Sequence, residues 1–157
     1  MSAARQPFYF KSFDKVIGVA HNELELLSEV KRLSAQDPKA LEYHVSQGHI
    51  SEWLRYIGRD DLASYLDAYR SSGLAKFVEA LEMALEGSSG SLTCPYCGYT
   101  APAYSFRLAR APWRFGAYAV RLLSCPSCGR RFRYYYPLKE GLRAFTVPRG
   151  PGGQGKP

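Results

Sequence analysis

The sequence predicts an α+β protein, in which a small N-terminal helical bundle is followed by a small C-terminal module of three β-strands. Apolar residues recur at helical spacing in the first half of the chain, and apolar and polar residues alternate in the second half. The small polar residues Gly87 to Ser91 separate these two patterns. We therefore expect a helical domain at 1–87, a linker at 88–91, a β-module at 92–147 and a disordered tail at 148–157.

Capping residues mark where the first two helices begin. Asn22 and Glu25 have the spacing of a capping box, and apolar residues on one helical face follow them. Asp37 and Pro38 predict the cap and first turn of a second helix, which ends at Gly48.

Three more helices follow from the apolar spacing and the glycines that end each pattern. The residues that predict them are Ile50, Trp53, Leu54 and Ile57 for the third, Leu62, Tyr65, Leu66 and Tyr69 for the fourth, and Leu74, Phe77, Val78, Leu81 and Leu85 for the fifth. The apolar lead Phe8 to Phe10 is too short to assign to a strand.

The aromatic residues of this half, with the pair Tyr43-His44, resemble an uncharacterised helical domain family found mainly in archaea. That family has no established activity, so the resemblance implies a fold and nothing more. His44 and His49 raise the possibility of catalysis, with Glu52 as the carboxylate. Nucleophiles and repeated carboxylates do not accompany them, so we interpret both histidines as structural and expect no enzymatic activity.

Alternating residues predict three strands beyond the linker. The first runs from Tyr104 to Leu108, the second from Tyr118 to Leu123, and the third from Arg131 to Tyr136. The segment 111–116 is interpreted as the turn between the first two, and 138–147 as a further strand or a cover for the sheet edge.

All four cysteines of the chain lie in two similar turns. Cys94 and Cys97 belong to the sequence CPYCG, and Cys125 and Cys128 belong to CPSCG. Two such turns supply the four soft ligands of a tetrahedral metal site. Since the N-terminus does not read as a signal peptide, we expect a cytoplasmic protein, in which cysteines are metal ligands more often than disulfides.

This doubled turn resembles the zinc ribbon family, over about residues 92 to 138. The resemblance implies one structural zinc ion held by Cys94, Cys97, Cys125 and Cys128. Iron is the alternative metal, because rubredoxins pair a CxxCGY segment with a CPxCG segment, and Cys97-Gly98-Tyr99 fits that form. Rubredoxins are typically acidic, whereas this module is rich in arginine, so zinc is favoured.

The charge of the chain is divided unequally between its halves. Residues 1–87 carry a net charge of −3, whereas 88–157 carry 11 Lys and Arg against Glu140 alone, a net charge of +10. Such asymmetry indicates a polyanionic partner for the second half. Arginine binds phosphate in bidentate fashion, and aromatic side chains stack on unpaired bases. The predicted nucleic-acid surface comprises Arg107, Arg110, Trp113, Arg114, Arg121, Arg130, Arg131, Arg133 and Tyr135.

These features predict a non-enzymatic protein that binds nucleic acid, with its helical domain as a protein-contact or orienting module. RNA is favoured over DNA because the basic half shows no recognition helix. The alternative is an adaptor whose ribbon docks on a large transcription or translation assembly. A membrane partner is not expected, because no apolar run is long enough to cross a bilayer.

Overall fold

The computed structural model describes residues 6–148 and divides the chain into two compact units after Glu86. The described residues combine helices and strands, which confirms the α+β class. Within residues 6–148, no helix has both the length and the apolar character needed to cross a membrane.

The first unit contains a β-hairpin followed by the five helices that the sequence predicts. Its elements are β1 (Phe8–Ser12), β2 (Lys15–Ala20), α1 (Glu23–Gln36), α2 (Pro38–Ser46), α3 (His49–Tyr56), α4 (Asp60–Asp67) and α5 (Leu74–Leu85). The core consists of the apolar helix faces together with Phe8 and Phe10 of β1.

The predicted caps start α1 and α2. The side chain of Asn22 accepts a hydrogen bond from the Glu25 amide at 2.9 Å. The Glu25 carboxylate accepts one from the His21 amide at 2.8 Å, so the return bond of this capping box reaches one residue further back than usual. Asp37 accepts a hydrogen bond from the Ala40 amide at 3.3 Å.

In the first unit, the hairpin of β1 and β2 is the element that the sequence did not predict. β1 and β2 pair in antiparallel fashion, with an irregularity after Phe10, and the chain turns through Phe13 and Asp14. Phe13 has a φ of +56°, a left-handed conformation that tight hairpins usually assign to Gly or Asn. Without one of those residues, the turn carries no recognisable signal.

Over the described residues 87–148, the second unit has seven strands instead of the predicted three. They are β3 (Ser91–Thr93), β4 (Thr100–Pro102), β5 (Arg107–Leu108), β6 (Trp113–Phe115), β7 (Tyr118–Ser124), β8 (Arg131–Pro137) and β9 (Phe145–Pro148). β3 and β4 form a separate hairpin. The other five form an antiparallel sheet in the order β5-β7-β8-β9, and β6 also pairs with β7.

The differences from the predicted module lie where the alternation is short. The expected strand 104–108 is a 3₁₀ turn (Ala103–Ser105) followed by the two-residue β5. The expected turn 111–116 contains β6, and the segment after 138 contributes β9. Pro148, which we assigned to the tail, pairs with Phe132; the remaining tail, 149–157, lies outside the described residues.

The interpretation of residues 88–91 as a linker does not hold, because these residues are bonded into the second unit. Ser88 is 2% exposed, and its carbonyl accepts a hydrogen bond from the Tyr104 amide at 3.1 Å. The Gly90 carbonyl accepts one from the Ala103 amide at 2.9 Å, and Ser91 begins β3. Small polar side chains thus allow the backbone to approach the module closely.

Candidate metal centre and basic aromatic face

The sulfur atoms of the four cysteines converge on one point. All four Sγ atoms lie within 4.8 Å of one another. The pairs Cys94–Cys128 and Cys97–Cys125 are both separated by 3.7 Å. A tetrahedron with metal–sulfur bonds of about 2.3 Å has edges of about 3.8 Å. The four cysteines are therefore positioned to coordinate one metal ion.

The two cysteine turns have the same backbone hydrogen bonds. In the first, the Gly98 amide donates to the Cys94 carbonyl at 3.0 Å, and the Cys94 amide donates to the Tyr99 carbonyl at 2.8 Å. The equivalent bonds in the second join Gly129 to Cys125 at 2.8 Å and Cys125 to the Arg130 carbonyl at 3.0 Å.

Both turns need glycine at the position after the second cysteine. Gly98 and Gly129 have φ values of +80° and +77°, which side chains with a Cβ rarely adopt. The bends also direct amides at sulfur, since Tyr96 N–H donates to Cys94 Sγ at 3.4 Å and Ser127 N–H to Cys125 Sγ at 3.3 Å. The backbone of each turn thus positions two of the four sulfur ligands.

Two of the thiols have pKa values that their surroundings shift in opposite directions. A hydrogen bond from the Tyr99 backbone, opposed by partial burial and aided by the neighbouring cysteines, lowers the pKa of Cys97 to about 7. At Cys128 the Arg130 backbone favours the thiolate, but burial and the other three sulfurs outweigh it and raise the pKa to about 11. Four thiolates this close repel one another, and a bound cation would remove that repulsion.

The pairing of the larger sheet sorts its side chains onto two faces, because residues directly opposite on paired strands share a face. One face carries both arginines and aromatic residues, and we call it the basic aromatic face. Its members are Arg107, Trp113, Phe115, Tyr118, Val120, Leu122, Ser124, Arg131, Arg133, Tyr135, Pro137, Phe145 and Val147.

Two exposed arginines lie at the end of this face nearest the second cysteine turn. Arg107 of β5 and Arg131 of β8 are both paired with Ser124 of β7, which precedes Cys125. Since neighbouring strands are about 4.8 Å apart, the two backbones are about 10 Å apart. Two guanidinium groups therefore flank one polar residue on the face.

Aromatic rings occupy the other end of the face. The rings of Tyr135 and Phe145 are stacked, with centroids 4.6 Å apart and an interplanar angle of 6°. Tyr118 contacts both rings edge-on, and Phe115 contacts Tyr135 in the same way at 6.4 Å. Phe115 is 65% exposed and Phe145 is 43% exposed, so flat apolar surface faces solvent.

Arg110 and Arg130 lie over aromatic rings. The guanidinium of Arg110 is 4.6 Å from the centroid of Trp113, and that of Arg130 is 5.3 Å from the centroid of Tyr96. Both arginines are exposed. Stacking holds their planar groups in place and leaves their N–H donors accessible at the edge.

Three of the predicted surface arginines are not exposed on this face. Arg121 is 2% exposed, donates to Ser88 Oγ at 2.9 Å and lies 5.6 Å from the ring of Tyr136. Arg133 does point to the basic aromatic face, but it is 8% exposed. Arg114 is exposed on the opposite side, because it pairs with Ala119. Alternation groups residues by face, but it does not show which arginines the fold buries.

The prediction also omitted three residues of the aromatic end. Tyr118 and Phe115 fall in a predicted strand and a predicted turn, and Phe145 falls in the segment 138–147, predicted as a further strand or a cover for the sheet edge. None of the three is among the residues of the predicted nucleic-acid surface. Tyr118 lies two and four positions before Val120 and Leu122, so the alternation indicates that it shares their face of the strand. Phe145 follows a loop, so its pairing with Tyr135 could not be read from local pattern.

Comparisons of the chain with protein-family models, with curated proteins and with solved structures gave no match. The resemblances to zinc ribbons and to an archaeal helical family therefore remain predictions. The convergence of the four sulfur atoms is what the structure establishes about this centre.

Proposed function

We propose that the second unit is a structural zinc module that binds single-stranded nucleic acid through its basic aromatic face. A tetrahedral metal site is supported by two Sγ–Sγ distances of 3.7 Å, and zinc is favoured over iron because this unit is rich in arginine. With four protein ligands, no coordination position is left for water or substrate, so the metal has no catalytic role. Elemental analysis of the purified protein tests this, with one zinc per chain expected and iron as the contrary result.

The nucleic-acid proposal is carried by one observation, the combination of exposed arginines and exposed rings on a single face of the sheet. Arg107 and Arg131 offer donors to phosphate, and Phe115 and Phe145 offer surfaces for stacking. A strand whose bases are unpaired can use both, whereas a duplex hides the faces of its bases.

RNA is favoured over duplex DNA by the secondary structure of this unit. Between residues 87 and 148 the structure contains strands and a 3₁₀ turn, but no α-helix that could enter a major groove. Single-stranded loops and ends are the usual targets of sheets that present aromatic rings.

The salt dependence of binding tests the proposal. The exposed arginines at or beside the face are Arg107, Arg110, Arg130 and Arg131. If each neutralises one phosphate, the logarithm of the affinity falls with a slope of about −2.8 against the logarithm of the salt concentration. Binding of a fluorescein-labelled mixed-sequence 12-mer RNA should therefore weaken about 50-fold between 50 and 200 mM KCl. An affinity that does not change with salt would contradict the mechanism.

A pair of matched variants separates the face from general positive charge. Arg131→Gln removes one guanidinium from the face, and Arg114→Gln removes one exposed guanidinium from the opposite side. Fluorescence anisotropy should give a slope of about −2.1 for Arg131→Gln and an unchanged slope for Arg114→Gln. Equal effects of the two substitutions would show that charge alone attracts the RNA.

A second candidate function is protein docking, which the exposure of Phe115 and Phe145 favours, since exposed aromatic rings are common at protein interfaces. In this reading the unit is an adaptor on a larger assembly. Recovery of tagged protein from cells before and after nuclease treatment distinguishes the two functions. Partners that remain after nuclease treatment and disappear with Phe115→Ser would favour the adaptor.

A further inference from the structure

The first unit contains a groove between its hairpin and its second helix. The groove has a volume of about 620 Å³, within the range of small-molecule sites. Its lining includes Lys11 and Phe13 from the hairpin, Lys39 and Tyr43 from α2, and His49 at the start of α3.

A chain of hydrogen bonds leads from the backbone to the groove through two histidines. Nε2 of His44 lies 2.9 Å from the Lys11 amide and 3.2 Å from the Lys11 carbonyl oxygen. Because the backbone N–H has a fixed direction and the shorter contact, we assign Nε2 as its acceptor. In neutral His44 the proton then lies on Nδ1, which is 3.0 Å from Nδ1 of His49. His49 accepts that bond and carries its own proton on Nε2. The arrangement leaves His49 with one N–H donor that neither of these bonds uses.

Burial supports this protonation state. His44 is 6% exposed, and burial, with smaller contributions from His49 and Lys11, lowers its pKa although the Lys11 carbonyl opposes the shift. Because His44 is neutral at pH 7, the hydrogen bonds that join Lys11, His44 and His49 keep the same donors and acceptors. His49 is half-buried and lines the groove, where its N–H can meet a ligand.

The rim combines positive charge with aromatic surface. Lys11 and Lys39 are both exposed, and Asp37 is the acidic residue among the lining side chains. One oxygen of Asp37 already accepts the bond that caps α2. Phe13 is fully exposed at the hairpin tip, and Tyr43 is 57% exposed and packs edge-on against His49 at 5.5 Å. The net charge of +1 at the rim matches a ligand with a single negative charge.

We propose that this groove binds a small organic monocarboxylate with a flat aromatic body. The carboxylate accepts a hydrogen bond from Nε2 of His49 and pairs with Lys11 and Lys39, and the aromatic body lies against Phe13 and Tyr43. This site is independent of the function proposed for the second unit, because all of its residues belong to the first.

The proposal is tested on the full chain with 2-naphthoate as the probe and its uncharged carboxamide as the matched ligand. Isothermal titration should show one saturable site for 2-naphthoate and binding at least tenfold weaker for the carboxamide. His49→Phe should weaken 2-naphthoate at least tenfold, because it keeps an aromatic ring but removes the donor. His49→Gln should retain most of the affinity that His49→Phe loses, because the glutamine amide can donate a hydrogen bond from a similar position.

Charge is tested with two lysines on different helices. Lys39→Gln should weaken binding severalfold, whereas Lys76→Gln on α5 should leave it unchanged. Imidazole ¹⁵N spectra of the unsubstituted protein provide a readout that does not depend on folding of the variants. They should show His44 protonated at Nδ1 and a shift of the His49 Nε2 signal when 2-naphthoate binds. Absence of saturable binding, equal binding of the carboxamide, or unchanged His49 signals would each overturn the proposal.

Discussion

Substitution of Gly87 by alanine should destabilise the second unit by several kcal/mol. Gly87 has a φ of +73°, and a Cβ at this position would overlap the ring of Tyr136. The left-handed conformation costs alanine about 1–2 kcal/mol, and forced displacement of a packed ring costs about 1–3 kcal/mol more. Tyr136 also lies under the guanidinium of the buried Arg121, so the ring cannot move without disturbing that contact. The expected total is about 2–5 kcal/mol.

Gly116 provides the control for backbone strain. It has a φ of +58°, but a Cβ there would meet nothing within 4 Å, so Gly116→Ala should cost only about 1–2 kcal/mol. Native-state hydrogen exchange of peptides from β7 and β8 measures the free energy of opening of this unit for both variants. If Gly87→Ala opens no more readily than Gly116→Ala, the close packing against Tyr136 does not contribute as argued.

Three further predictions concern the ion pairs, the histidines and the metal. Arg59 is buried and forms ion pairs with Glu23 at 2.7 Å and Asp61 at 2.9 Å. Arg59→Leu should therefore lower the free energy of unfolding of the first unit by about 3–5 kcal/mol, as measured by urea denaturation followed by circular dichroism. Arg55→Leu, which breaks a more exposed pair, should cost under about 1 kcal/mol, and equal costs would contradict the role of burial. Burial lowers the pKa of His44, so near pH 6.5 the unfolded chain binds a proton that the folded chain does not. The free energy of unfolding of the first unit should therefore fall between pH 7.5 and pH 5.5, and it should fall less in His44→Gln. Chelation should raise the hydrogen exchange rates of β7 and β8 and leave those of the five helices unchanged, and unaltered exchange in the strands would show that the metal does not support this unit.

The parts of the fold that could be predicted are those with local signals. Asn22 and Asp37 cap helices through bonds to residues three positions away, and this spacing is visible in the chain. The cysteine turns are equally local, since each closes within six residues. Their convergence was also predictable, because four cysteines in two similar turns suit one metal ion.

The parts that could not be predicted depend on distant partners. Ser88 reads as part of a flexible linker until Arg121, 33 residues away, is seen to donate to it. Arg121 in turn reads as a surface residue, because both faces of the sheet carry arginine and local alternation cannot show which is covered. The hairpin turn at Phe13 is local, but its residue type is unusual for its conformation.

The two cysteine turns belong to different hairpins, and this has a consequence for how the second unit holds together. Cys97 and Cys125 are 28 positions apart, so an ion bound by both turns closes a long loop, as a covalent crosslink would. A crosslink of that span restricts the unfolded chain by about 3.6 kcal/mol in the chain-entropy model. A disulfide of equal span would be lost under reducing conditions, whereas thiolate coordination needs its sulfurs reduced. Reducing conditions, which break disulfides, would therefore preserve a crosslink made by an ion bound to these thiolates.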